Sequence, residues 1–172
     1  MELHHGRTFV DAFCRKARSF AQIVCNSTHV QSSRGERRLK MSEFAKGALT
    51  TALEADELIT EIRFRPWPQG HGAAFVEFAR RHGDFAVGSA CALVQMKHKK
   101  VERLSLVLGG VTATPIRATE TEKAVLNGEP IADAVKHCGQ IEALEDPIYP
   151  AWYRQKLAVT LARRALERAI GR

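Results

Sequence analysis

Residues 80–84 read Arg-Arg-His-Gly-Asp, within the longer stretch FVEFARRHGDFAVGSACALV from Phe75 to Val94. Two guanidiniums, an imidazole and a carboxylate so close together can hold charge against a ligand or a partner, or can form a solvated cluster beside a buried strand. Gly83 suits a turn that needs positive φ, and Asp84 can accept hydrogen bonds from backbone amides or pair with Arg80 or Arg81. Other reactive side chains are scattered. Cys14, Cys25, Cys91 and Cys138 form no CxxC pair, and the seven histidines show neither HExxH nor a finger spacing, so local spacing supports no metal site. Such thiols read as the reduced cysteines of a cytosolic protein. Gly109-Gly110, in GGVTATP, lacks the lysine and Ser/Thr of a phosphate loop and reads as a bulge followed by a helix cap. No residue declares itself catalytic.

The chain that must position these groups has 172 residues, enough for one ordinary domain with an additional arm. Its formal charge is +7, and residues 1–40 carry eight Lys or Arg against three acids, so +5 of it sits there. Net positive charge attracts anionic partners at long range without encoding specificity. The arm holds no aromatic-rich nucleic-acid motif, which puts nucleic-acid binding below a plain solvated surface. The apolar runs are too short to cross a bilayer, and no secretory core with a small-residue cleavage site is visible.

Periodicity divides the rest. A short helical pattern surrounds Phe9, Phe13, Ala17 and Phe20. SRGERRLKMSEF reads as a tight charged turn at Arg34-Gly35 between extended pieces, and TALEADELITEIRFRP as a turn at Glu54 to Glu57 before a strand that stops at Pro66. PWPQGHG is a loop. Ala73 to Ala79, Ala86 to Met96 and Val101 to Leu108 are strand candidates, and the short KHKK connection allows only antiparallel neighbours. Thr114-Pro115 then reads as a helix N-cap with Asn127-Gly128 as its C-terminal stop, and Pro130 opens a second helix with Ile131, Ala134, Val135 and Cys138 on one face. The longest helix is expected from Ala151 to Ile170, with Tyr153, Leu157, Leu161 and Ala165 inward and Arg154, Lys156, Arg163, Arg164 and Arg168 on a charged outer face. Strands first and helices after predict an α+β fold, a three-stranded antiparallel sheet with helices packed on it.

Four words in sequence order carry more than periodicity does: SRGERRLKMSEFAKGALTTALEADELITEIRFRP, FVEFARRHGDFAVGSACALV, LSLVLGGVTATPIRA and YRQKLAVTLARRALERA. Together they resemble the flavoprotein subunit of molybdenum-containing hydroxylases, a family that includes the medium subunit of aerobic carbon monoxide dehydrogenase and the FAD segment of xanthine dehydrogenase. The resemblance runs from about His29 to the C-terminus. It implies that residues 29–68 are the tail of an FAD-binding domain, that residues 69–172 are the flavoprotein C-terminal domain, and that residues 1–28 form an unmatched basic arm. The implied role is electron transfer: FAD accepts electrons that leave a molybdenum-cofactor large subunit through an iron-sulfur small subunit. The chain would thus belong to an oxidoreductase only as a subunit, and its substrate would be oxidised elsewhere. The alternative is an assembly module that docks on partner subunits without flavin.

The resemblance also assigns residues. Leu58 and Ile59 fall in the family's DELI word, where matching residues touch the flavin ring, and apolar side chains suit a flat aromatic ring. Where related proteins place a flavin-reaching lysine, this sequence has Val76 and Glu77, so Glu77 reads as a solvated strand residue. Arg80, Arg81 and Asp84 are implied to form an interface facing the flavin domain or a neighbouring subunit. The family's upstream glycine-rich loops bring several amides onto the FAD pyrophosphate. Residues 1–28 hold Gly6 as their sole glycine, which reads as a truncated product whose first residues come from another start or frame.

Overall fold

The computed structural model describes residues 25–47, 50–81 and 84–171, with Cys25 and Asn26 described by backbone alone. The helical pattern around Phe9 to Phe20, and His82 and Gly83 of the charged turn, lie outside the described residues.

The first sheet holds β1 (Cys25–Ser32), β2 (Gly35–Lys40) and β5 (Leu58–Phe64) in the order β2-β1-β5, all antiparallel. Gly35 closes the β1–β2 hairpin at φ +132°, a conformation that needs no side chain. A single turn, α1 (Met41–Phe44), and a small ladder of β3 (Ala45–Gly47) with β4 (Thr50–Thr51) connect β2 to β5. Two arginines of the hairpin tie this connection down. Arg34 Nη2 donates to Glu54 Oε2 at 2.6 Å and to Asp56 Oδ1 at 2.8 Å, while Arg37 grips both oxygens of Glu57 at 2.6 and 2.7 Å. The turns expected at Arg34-Gly35 and at Glu54 to Glu57 are therefore bound to each other.

The second sheet is the expected meander: β6 (Gly72–Phe78), β7 (Gly88–Lys97) and β8 (Lys100–Gly109), every pair antiparallel. KHKK becomes a tight turn with His98 and Lys99 at φ +49° and +64°. A two-residue strand, β9 (Ile116–Arg117), adds a fourth member at the edge of β8. It displaces the expected helix start. Ile116 and Arg117 pair with Leu108 and Val107, and α2 begins only at Thr119 and runs to Leu126, with Ala118 as its N-cap. The fixed φ of Pro115 suits an extended edge as well as a first helical turn, and the ladder bonds to β8 win. Asn127 caps the C-terminus and Gly128 follows at φ +91°, as the Asn-Gly pair suggests.

Helix α3 (Ile131–Ala134) passes into a 3₁₀ turn, Val135–Gln140, with Ala134, Val135 and Cys138 buried as the sequence face requires. Helix α4 (Ala151–Ile170) has the expected ends and lies across β6 and β7. Its inward stripe is Ala158, Leu161, Ala162, Ala165, Leu166 and Ala169. These small residues let the helix sit close to the sheet, and the sheet is correspondingly bare beneath it. A Cβ on Gly72 would stand 1.7 Å from the Ala169 carbonyl oxygen, and one on Gly88 would stand 2.9 Å from Leu157. Leu106, Leu108, Leu161 and Leu166, among the largest buried side chains, fill the layer between this sheet and its helices, while Leu93 is buried on the opposite face of β7.

Candidate functional site

Two places hold groups not used up by the core. The first is the turn between β6 and β7. Arg80 and Arg81 are exposed, Arg80 Nε lies 4.0 Å from Asp84 Oδ2, and the Asp84 amide donates to the Arg81 carbonyl at 3.2 Å. Asp84 thus uses its amide and its carboxylate within the turn. Next to it Phe85 is 88% exposed, the most solvent-open of the large apolar side chains described. Its ring stands at the lip of a cavity.

That cavity, of about 570 Å³, lies between the turn and the loop before α4, and its walls include Arg80, Asp84, Phe85, Ile148, Tyr149 and Arg154. Arg154 corrects the sequence reading. It does not stand on the outer face with Lys156, Arg163, Arg164 and Arg168, which are exposed; it is buried, at 8% exposure. Steps of four residues drift from a 3.6-residue period, so the stripe drawn through Tyr153 and Leu157 runs along the margin of the true one. The true stripe passes through Arg154, Ala158, Leu161, Ala165 and Ala169. Arg154 Nη1 donates to the carbonyls of Val87 at 2.6 Å and Gly110 at 2.7 Å, and Nη2 bonds Asp146 Oδ2.

Asp146 is held in turn by the amides of Ile148 and Tyr149, at 2.9 and 2.8 Å on Oδ1. The Tyr149 amide, the Arg154 guanidinium and the Ile148 amide keep its carboxyl below the usual range. Gly110, at φ +74°, passes so near that a Cβ would meet the Ala86 carbonyl oxygen at 2.7 Å. The Gly-Gly pair therefore makes a tight crossing under the charged turn, and no helix cap follows it directly.

The second place is β5, the edge strand of the first sheet. Leu58 is 74% exposed and Ile59 40%. A register shift opposite His29 and Val30 pairs Ile59 with Val30 and Ile62 with Thr28, so Ile59 and Ile62 share the apolar face with Val30 and Leu39. Leu58, opposite Gln31, points to the other face. Leu58 and Ile59 are open to solvent but do not share one face. Adjacent residues of a strand alternate in face, so the strand itself separates them; the register shift instead brings Ile62 onto the face of Ile59.

The thiols described are closed to chemistry. Burial pushes the Cys91 thiol up to about 12, and burial also raises that of Cys138, against which Thr121 Oγ1 sits at 3.2 Å. Among the described residues no group of three or more His, Cys, Asp or Glu could hold a metal ion, and no helix is long and apolar enough to cross a membrane.

Comparison with known proteins follows this geometry closely. Residues 73–169, the second sheet and its helices, match the CO dehydrogenase flavoprotein C-terminal domain. The caffeine dehydrogenase subunit beta of Pseudomonas sp. (strain CBB1) is 39% identical over 88% of this chain and 52% of its own length. The carbon monoxide dehydrogenase medium chain of Afipia carboxidovorans is 35% identical over 80% of this chain and 50% of its own. Among solved structures, reconstituted CO dehydrogenase from Oligotropha carboxidovorans superposes with a TM-score of 0.82 at 33% identity, over 90% of this chain and 56% of that one. The chain spans about half the length of the curated relatives it matches. With the matched segment, residues 73–169, covering all but one residue of the second sheet and all but the last residue of α4, the chain belongs to the CO dehydrogenase flavoprotein C-terminal domain family.

Proposed function

We propose that this chain is the FAD-associated, electron-transferring part of a cytoplasmic molybdenum-containing hydroxylase or dehydrogenase, working beside a molybdenum-cofactor large subunit and an iron-sulfur small subunit. In this reading residues 29–68, with β1 reaching back to Cys25, are the tail of the FAD-binding domain, and residues 69–172 are the C-terminal domain.

The observation that carries the flavin side of the reading is β5. Among the described residues it pairs with one strand, β1, and stands at the edge of the sheet. Along it Leu58, Ile59 and Ile62 are 38–74% exposed, Leu58 on one face and Ile59 and Ile62 on the other. A planar ring with a polar rim suits such an edge, because backbone N–H and C=O groups can meet the rim while aliphatic side chains cover the ring and exclude water. The residues present therefore fit the ring. They do not make a diphosphate cradle: the edge strand is short, and no glycine-rich loop opens a helix among the described residues.

FAD, when bound, would supply the redox chemistry, and this chain would orient it and set its surroundings. Leu58 would shield one side of the ring edge, and Ile59 the other, as their opposite directions on the strand dictate. Arg80, Arg81 and Asp84 would form the interface on the β6–β7 turn, toward the flavin domain or a neighbouring subunit. Glu77, exposed at the end of β6, offers no cation to a reduced ring. No general acid or base is required of the chain.

The test is co-expression with the subunits encoded beside it, followed by spectroscopy of the purified complex. A flavin absorption band that travels with this chain supports the reading. A stable complex that is colourless in that region would sink it and leave a docking module without flavin.

A further inference from the structure

Arg154 is the one arginine described as buried, and it sits between two segments of backbone rather than on a ligand. Its Nη1 reaches the Val87 carbonyl, 67 residues away in sequence, and the Gly110 carbonyl, 44 residues away. Its Nη2 reaches Asp146, and its Cζ lies 5.6 Å from the Tyr149 ring centroid. Only Nε is buried without a partner. A planar fork of donors can satisfy carbonyls and a carboxylate at once, which a lysine ammonium or an apolar side chain cannot do in the same plane.

Val87 is where the charged turn rejoins the sheet: its amide donates to the Phe78 carbonyl at 2.8 Å and closes the loop that carries residues 79–86. Gly110 lies beneath that loop, too close to Ala86 to admit a side chain. Asp146 anchors the opposite wall of the cavity through the Ile148 and Tyr149 amides. One guanidinium therefore joins the base of the turn, the floor under it and the facing wall.

We propose that Arg154 is the positioning residue for the β6–β7 turn: from inside α4 it fixes the separation of the two cavity walls and so sets where Arg80, Asp84 and Phe85 stand. This rests on the reading of that turn as a contact surface. It adds that the surface is held in shape by the last helix and not by the turn's own ion pair, whose Arg80–Asp84 distance of 4.0 Å between exposed groups is a weak constraint.

The turn carries its own reporter, since trypsin cleaves after Arg80 and Arg81. The full chain is compared with Arg154→Lys, Arg154→Met and Asp146→Asn by limited tryptic digestion with mass-spectrometric identification of the cut, and thermal midpoints are measured in parallel. With Arg154→Met, cleavage after Arg80 or Arg81 is expected to accelerate about tenfold relative to cleavage at exposed sites elsewhere, as a segment released from its anchor opens locally. Arg154→Lys should recover part of the protection through its remaining donors. Asp146→Asn, which keeps the acceptor for the two amides but removes the charge, should fall between wild type and Arg154→Met.

Cleavage at the turn that is unchanged in all three variants would overturn the proposal. Acceleration only in step with global unfolding would do so too. If Arg154→Met does not fold, the comparison of Arg154→Lys and Asp146→Asn with wild type decides in the same terms. The assay needs neither flavin nor partner, so a colourless complex would remove the electron-transfer reading while leaving this result to stand by itself.

Discussion

The two sheets of this molecule are built from similar lengths of strand, yet one is closed and the other open. In the second sheet β7 is buried from Gly88 to Val94, and α4 lies across it with a stripe of alanines and leucines. In the first sheet every residue of β5 is exposed, and among the residues whose side chains are described burial is confined to Ser27, Thr28, Val30 and Leu39. The second sheet therefore has a complete two-layer core, whereas the first has one apolar face and nothing described against it. Hydrophobic burial stabilises the second by itself; the first relies on hairpin geometry and on the charge clamps of Arg34 and Arg37.

Breaking the closed sheet should have the largest effect. Leu161→Ala removes a side chain that is 2% exposed, and large-to-small changes at such sites cost about 2–5 kcal/mol. Chemical denaturation should show that loss in the transition of the whole C-terminal unit. Gly72→Ala tests the same interface from the strand side. A new methyl 1.7 Å from the Ala169 carbonyl oxygen must push α4 outward, and overpacking of this kind costs about 1–3 kcal/mol. A variant as stable as wild type would mean that α4 is not seated on β6.

Acid should loosen the open sheet. Arg37, then the Glu54 amide, hold the Glu57 carboxyl at about 2 against an ordinary value of 4.5. A carboxyl whose folded value is depressed stabilises the fold fully above its unfolded value and loses that contribution as pH falls through the folded one. The β1–β2 hairpin and the 54–57 turn should therefore separate progressively between pH 4.5 and about 2. Glu57→Gln should abolish this part of the acid dependence, as followed by circular dichroism or by amide exchange of β2. The smallest stability change belongs to Leu58→Ser. At a residue 74% exposed the change should stay within about 0.5 kcal/mol. The same substitution should still lower the flavin retained by the complex, read from its absorbance per chain.

The contrast between the sheets also explains which features the sequence made legible. The meander, the ends of α4, the Asn-Gly stop after α2 and the hairpin at Arg34-Gly35 were readable because local period and turn chemistry determine them. What escaped depends on long-range pairing. Ile116 and Arg117 look like the first turn of a helix until β8 offers them a ladder. Arg154 looks like one more surface cation until Val87, Gly110 and Asp146 converge on it, although its spacing to Ala158 and Leu161 was a usable signal. Leu58 and Ile59 were singled out by resemblance to a family word, and their opposite faces follow from strand alternation, but the register shift that sets Ile62 on the face of Ile59 exists only in the paired strands. Phe85 carried no signal beyond its place after Asp84, since exposure is a property of the assembled surface.

Amide exchange measured residue by residue, on the free chain and on the chain in a flavin-containing complex, tests most directly whether the first sheet is an open half-site. The account predicts that in the free chain the amides of β1 and β5 exchange far faster than those of Leu93 and Leu106, and that loading slows β5 while leaving the second sheet unchanged. Equal protection of both sheets in the free chain, or loading that leaves β5 as it was, would contradict it.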